Sequence, residues 1–260
     1  MDHDPEGPPL APSAIRDWCQ ENELDRVAEA VGAIAAPGWQ LLPERGRGHS
    51  YIGGEPELPE GWDWPYQEDT PLSFVLQLEL TGQMGLWGLL YFFWDEQSCL
   101  AFSRDCQLLL YHGQDPLEQR ALPARAGNPN RDWRFVKTPV RLRPITTLPT
   151  PADQAIQALR LNERELESYI DLVCIVQPDP DMHLGGAGHW ILSDGREECS
   201  ALAADCPCEA KDWQLVLELA ATGPFANALG WSNGSVYLLA PKEQLETGRI
   251  DGCRLVLQWG

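Results

Sequence analysis

Cys199, Cys206 and Cys208 lie close together in the chain, not far beyond His183 and His189. Thiolates and imidazoles are the ligands zinc prefers, and a structural site gathers four of them, commonly with two to four residues between paired cysteines. Cys206 and Cys208 are separated by one residue, tighter than that spacing, and Cys199 stands seven residues before Cys206. The three read as a free-thiol loop, and no metal site is expected.

The stretch His183-Leu-Gly-Gly-Ala-Gly-His189 poses a second chemical question. A phosphate loop follows a strand and opens a helix, so that backbone N–H groups converge on the anion. The residues after His189, Trp-Ile-Leu-Ser-Asp-Gly, are poor helix material, and no Gly-Lys-Ser/Thr follows. Gly185 and Gly186 are therefore structural turn positions, serving positive φ or close backbone approach. Gly53 and Gly54 form a matching pair in the first half.

Nucleophilic catalysis needs a serine or cysteine beside a base. His49-Ser50 and His183 precede the two glycine pairs at similar places. They mark either a paired functional site or a polar residue that ties each loop down. Without an activated-serine motif, the second reading is preferred. No catalytic residue and no cofactor are expected.

Glu55, Glu57, Glu60, Asp63, Glu68 and Asp69 share one loop with Trp62 and Trp64. Paired carboxylates do acid–base work only where burial drives their pKa values apart. Here they read as a solvated face or as a docking surface for a basic partner. Pro56, Pro59 and Pro65 stiffen the same loop, so it is expected to wrap the sheet with the two tryptophans as plugs on Leu76 and Leu78. Left exposed, those tryptophans would instead form a partner hot spot.

The chain carries 39 acidic against 19 basic side chains, a formal net charge of −20. This balance repels nucleic-acid phosphates and anionic membrane surfaces, and steers basic proteins inward. No secretory signal or membrane-length apolar run is visible, so a cytoplasmic location without disulfides is expected. An apolar content of 43% suffices for a packed core.

The elements that must position these residues follow from periodicity. Ser13 and Asn22 are candidate caps of two N-terminal helices carrying Ile15, Trp18, Leu24, Val27, Ala28 and Val31. From Trp39 the period changes to two: Phe74, Leu76, Leu78 and Leu80 share one face, and Val75, Gln77 and Glu79 the other. Residues 88–95 form a strand apolar on both faces, hence central. Thr150 and Asn162 are candidate caps of a helical pair over about 151–173. Strands return through Leu215, Leu217 and Leu219 and close the chain.

The halves echo each other. Gly53-Gly54 and Gly185-Gly186 are offset by 132 residues, the alternating strands by 141, and Gly88 and Gly234 by 146. An internal duplication accounts for this, with loops absorbing the added length. The expected fold is α+β and β-dominated: two pseudo-repeated antiparallel units packed as one body, with N-terminal helices and a central helical pair. The divisions are an N-terminal tail and helices at 1–38, a first β unit at 39–148, a helical connector at 149–181 and a second β unit at 182–260. A seam between the units is a natural ligand site.

The run from Tyr51 through Gly-Gly-x-Pro-x-Leu-Pro to Trp64-Pro65, then Pro71-Leu-x-Phe-x-x-Gln77 and Gly88-Leu-Leu-Tyr-Phe-Phe, resembles the DUF1963 or YwqG-like family. His183 with Gly185 and Gly186, residues 213–218, and Gly234 to Tyr237 continue the likeness. Glu218 stands where the family pattern carries glutamine, and the residues after Gly186 depart from it. The resemblance covers roughly 50–260. It implies an uncharacterised bacterial protein whose relatives sit in places near toxin systems, and hence a binding role, with a toxin domain as a possible basic partner. Gln77, His183 and His189 join Trp62 and Trp64 as candidate ligand or partner contacts. A small-ligand or peptide-binding module using the seam is the alternative, and an enzyme the third reading.

Overall fold

The structure, a computed structural model, describes residues 8–46, 48–94, 102–103, 106–123, 136–177, 182–203, 206, 208–220 and 234–259. The sequence also marks a turn at 231–234, a loop over 118–133 and Cys99 as a small apolar side chain; residues 231–233, 124–133 and Cys99 lie outside the described residues.

Two helices open the chain, α1 (Pro12–Glu21) and α2 (Ala28–Ile34). Strands β1 (Ala36–Pro43), β2 (Tyr51–Ile52), β3 (Glu57–Pro59), β4 (Tyr66–Gln67), β5 (Thr70–Pro71), β6 (Ser73–Thr81), β7 (Trp87–Trp94), β8 (Phe102–Ser103), β9 (Cys106–Tyr111), β10 (Leu117–Gln119) and β11 (Thr138–Thr147) follow. The connector carries α3 (Gln154–Gln157) and α4 (Glu163–Val176). Next come β12 (Met182–Gly185), α5 (Gly195–Leu202), β13 (Trp213–Ala220), β14 (Gly234–Pro241), a short α6 (Lys242–Glu246) and β15 (Arg254–Trp259).

Eleven of these strands form one antiparallel sheet in the order β8-β15-β14-β13-β12-β1-β11-β2-β6-β7-β9. At its centre β1 pairs with β11 over eight residues, Ala36 opposite Thr147 and Pro43 opposite Val140. On either side the order runs outward as β12, β13, β14, β15 and as β2, β6, β7, β9. The halves are joined where β1 pairs with β12, while β11 pairs with β2 inside the first unit.

The sheet curls nearly closed, so inner-face residues of both ends meet in one core. Val75, Leu76, Leu78, Leu90 and Phe92 from one side pack with Val216, Leu217, Val236, Leu238 and Leu255 from the other. Outside, Tyr51, Phe74, Tyr91, Phe93 and Tyr111 pack with Leu58 and Trp64 of the wrap, and Trp213, Leu215, Tyr237 and Val256 with Trp190, Cys199 and Ala203. The helices form their own cluster, where Ile15, Trp18, Leu24 and Val31 meet Leu148, Tyr169 and Leu172.

Strict alternation fails at two places. In β6 a register shift between Phe74 and Leu76 puts Phe74 on the outer face and Val75 on the inner one. In β13 the shift falls between Leu215 and Leu217, sending Leu215 outward. A β-bulge adds one residue against its partner strand and so reverses the facing of everything before it. The two bulges lie 141 residues apart, the same offset as the strands.

Helix capping matches expectation in part. Asn162 and Glu165 form the reciprocal box at α4. Ser13 lies inside α1, whose first residue is Pro12, while Asn22 closes that helix by donating from Nδ2 to the Trp18 carbonyl at 2.7 Å. At α3 the cap is Asp153 rather than Thr150. Cys206 and Cys208 are joined as a disulfide, their Cα atoms 5.4 Å apart, so the free-thiol reading holds for Cys199 and not for these two.

Candidate functional site

Each glycine pair turns the chain away from its strand toward the outer face. Gly53 and Gly54 hold φ of 67° and 77°, and Gly185 and Gly186 hold 65° and 78°. A left-handed backbone strains any side-chain-bearing residue, so glycine is required here. At Gly186 space is also short: an added Cβ would meet Thr147 Oγ1 at 2.5 Å.

Beyond the first turn, a buried glutamine ties the wrap to the sheet. Gln77 Oε1 accepts the Glu57 N–H at 3.0 Å, and Gln77 Nε2 donates to the His49 carbonyl at 2.9 Å. The Tyr51 hydroxyl lies 3.0 Å from the Glu55 carbonyl, and the Tyr91 hydroxyl donates to the Glu57 carbonyl at 2.8 Å.

The second half repeats these contacts with other side chains. Glu218 Oε2 accepts the His189 N–H at 2.9 Å. The Tyr237 hydroxyl donates to the His189 carbonyl at 2.7 Å, and His183 Nε2 lies 3.0 Å from the Ala187 carbonyl. Position by position, His183 stands for Tyr51, His189 for Glu57, Glu218 for Gln77 and Tyr237 for Tyr91.

This substitution changes the electrostatics. His183 on β12 sits directly across from Glu218 on β13, and both are 1% exposed. His189 arrives from the loop, its ring 5.2 Å from that of His183. Glu218 Oε2 is 3.7 Å from His183 Nε2 and 3.5 Å from His189 Nδ1. Burial alone pushes the Glu218 carboxyl up, but the two imidazoles and the His189 N–H outweigh it and hold the group below its ordinary value. Burial, with the same charge added, drives the Tyr237 hydroxyl far above its usual range. His189 Nε2 bonds Gln177 Oε1 at 3.0 Å, and an oxygen acceptor there puts the proton on that ring nitrogen.

Alongside this cluster runs a cleft of about 370 Å³. Pro37 and Trp39 of β1 and Met84 of the β6–β7 turn form one wall. Gly186, Ala187, Gly188, Trp190 and Trp213 face them, with Arg196 and Lys242 also on the lining. Arg196 is held by Asp153 at 2.7 Å and Asp194 at 2.6 Å, and Asp153 also accepts the Trp190 indole N–H at 3.2 Å. Trp213 is fully buried, and its Nε1–H has no acceptor among the described residues.

The cluster and the cleft residues beyond β1 fall within a region, 50–258, that matches the family described as Domain of unknown function (DUF1963). The chain belongs to the DUF1963 family. No curated protein matches it.

In this DUF1963 chain the residues singled out from sequence separate into two groups. His183 and His189 come together, with Glu218 added. Gln77 is buried in the opposite half as the tie described above. Trp64 is a buried plug, donating its indole N–H to the Leu72 carbonyl at 2.9 Å with its ring 5.4 Å from Phe93. Trp62 is half-buried against the rings of Tyr91 and Tyr111. Both pack on the outer face, so their partners are these aromatics rather than Leu76 and Leu78, which point inward.

Sequence reasoning missed Gln177 and the cleft residues Trp39, Trp190, Trp213 and Arg196. It noted Glu218 only as a departure from the family pattern. The offsets of 141 and 132 carry Gln77 onto Glu218 and Glu57 onto His189, and the Gln77–Glu57 bond in the structure shows that the two positions meet.

Among the described residues no helix is long and apolar enough to cross a membrane.

Proposed function

We propose that this protein is a cytoplasmic binding protein that takes a small ligand or short peptide in the cleft between its halves. The observation that carries this is the cleft's lining. Trp39 supplies accessible apolar surface, Trp190 and the fully buried Trp213 back it, and the Trp213 N–H behind that wall is a directional donor that nothing among the described residues uses. Ligand sites combine such apolar walls with a few placed polar groups. A buried donor without an acceptor costs about 1–3 kcal/mol, which a ligand oxygen would recover. The recurrent ties in the two halves support an origin by internal duplication, which would make this cleft the seam between copies.

The test is a fluorescence and thermal-shift screen of metabolites and short proline-containing peptides against the wild type and Trp213→Phe. Phenylalanine keeps most of the apolar ring and removes the N–H. A ligand should quench indole emission and bind at least fivefold more weakly to the variant. Binding unchanged in Trp213→Phe, or no hit for the wild type, counts against the reading.

The excess of 39 acids over 19 bases favours a second reading, a basic protein partner such as a toxin domain. Co-expression with a neighbouring toxin, scored by growth rescue, separates it from the first.

A further inference from the structure

Gln77 and Glu218 make the same bond, from a buried side-chain oxygen to the backbone N–H beyond a glycine turn. An uncharged amide serves that purpose in the first half. The charge of the Glu218 carboxylate is therefore not needed to hold the loop. Burying a carboxylate is expensive unless a cation compensates it, and among the described residues the ion pairs of Glu218 are those with the two histidines.

We propose that His183, His189 and Glu218 form a binding site for a divalent transition-metal ion, with zinc the best match. Each residue offers one ligand atom, and these atoms lie within 4.8 Å of one another. A tetrahedral zinc ion with bonds of about 2.0–2.2 Å draws such atoms to roughly 3.4 Å apart, a small contraction for two rings and a carboxylate. Two nitrogens and one oxygen are the donors zinc accepts, and they exclude calcium and magnesium, which take oxygen shells.

The surroundings suit the ion. Gln177 Oε1 accepts the Nε2–H of His189, which fixes the tautomer that turns Nδ1 toward Glu218. Metal-bound histidines characteristically donate their other nitrogen in this way. His189 Nδ1 is buried and has no hydrogen-bond partner among the described residues. Its lone pair faces Glu218 Oε2 across 3.5 Å, a spacing at which two acceptors need a cation between them. A proton on His189 would serve that one contact. A metal ion engages all three. Its binding asks the His183 Nε2 to release the Ala187 carbonyl, which lies in the loop bordering the cleft. Three protein ligands leave a fourth position for water, and burial marks the site as one that orders the loop.

The experiment uses the full chain, reduced and stripped with chelator. Zinc titrated by calorimetry should bind with one-to-one stoichiometry and raise the melting temperature. Cobalt(II) should give visible d–d absorption without thiolate charge-transfer bands. Glu218→Gln, which keeps the bond to the His189 N–H, should fold and lose at least tenfold in metal affinity. Cys206→Ser/Cys208→Ser and Trp213→Phe should bind metal as the wild type does. The proposal falls if the wild type binds no zinc, if Glu218→Gln binds it equally, or if affinity goes with the cysteines. Because Trp213→Phe reads the cleft alone, failure of the metal site and failure of the ligand reading are separable.

Discussion

Gln77 and Glu218 are structural counterparts, each the buried acceptor for one backbone N–H of the segment that covers its half of the sheet, at 3.0 and 2.9 Å. Their difference in charge is matched to their neighbours. The second oxygen of a carboxylate at 77 would meet the His49 carbonyl, which now receives a proton from Gln77 Nε2 at 2.9 Å. The Tyr51 hydroxyl, 3.1 Å from Gln77 Oε1, is a neutral donor and brings no charge to pair with it. Gln77→Glu is therefore expected to cost about 2–4 kcal/mol, as for a buried charge without a proper partner. Glu218→Gln in metal-free protein should stay within about 1 kcal/mol of wild type, because the N–H acceptor survives. Urea unfolding of the two variants measures the asymmetry; equal losses would show that charge is irrelevant to both ties.

The second glycine turn gives a sharper steric prediction. Gly186→Ala combines φ of 78° with a Cβ 2.5 Å from Thr147 Oγ1. That hydroxyl also accepts the Ala187 N–H at 2.8 Å, so the clash pulls apart the loop that borders the cleft. Gly248 has φ of 71° and nothing within 4 Å of an added Cβ. Gly248→Ala should cost about 1–2 kcal/mol, the left-handed backbone cost alone. Gly186→Ala should cost at least about 1 kcal/mol more. Thermal denaturation of the pair isolates the contribution of Thr147.

Much of the architecture was legible because it rests on local periodicity. The capping box at Asn162 and Glu165 lies within one helical turn, and the alternation in β6 and β13 names the sheet. What stayed hidden depends on partners remote in sequence. Thr150 and Asp153 both fit a cap; Asp153 prevails in a site where it also binds Arg196 and the Trp190 indole. The bulges that turn Phe74 and Leu215 outward are properties of pairing with β7 and β14, which neither strand encodes alone. For the candidate site, His183 and His189 were marked by the glycine turn between them. Glu218 joins them only because β12 and β13 pair in the register that sets His183 opposite it.

Tryptophan burial divides predictions about stability from those about contact. Trp64 loses both its bond to the Leu72 carbonyl and its edge contact with Phe93 on truncation. Trp64→Ala is expected to cost about 3–5 kcal/mol, in the range for large aromatic truncations in cores. Trp87 is 62% exposed, and Trp87→Ala should change stability by under about 1 kcal/mol. Guanidinium unfolding decides this, and a near-neutral Trp64→Ala would reopen the wrap as a partner surface.

The ion pair between the first helices and the connector should appear in the acid limb of stability. Arg26 donates to both oxygens of Glu165, from Nε at 2.9 Å and Nη2 at 2.8 Å. Glu165 also accepts the Asn162 N–H at 2.9 Å as half of the capping box. The Arg26 bond, then the Asn162 bond, hold the Glu165 carboxyl down to about 2 from its ordinary 4.5. A carboxyl held low when folded contributes stability that is complete above its unfolded pKa and is lost as pH falls through the folded one. The loss should therefore run from about pH 4.5 down to about pH 2. Glu165→Gln keeps the acceptor for Asn162 and removes the charge. It should melt lower than wild type at pH 7, and the two curves should converge as the pH approaches 2. Melting temperatures collected across that window test the sign directly, since a gap that widened on acidification would mean Arg26 is not the group holding Glu165 ionised.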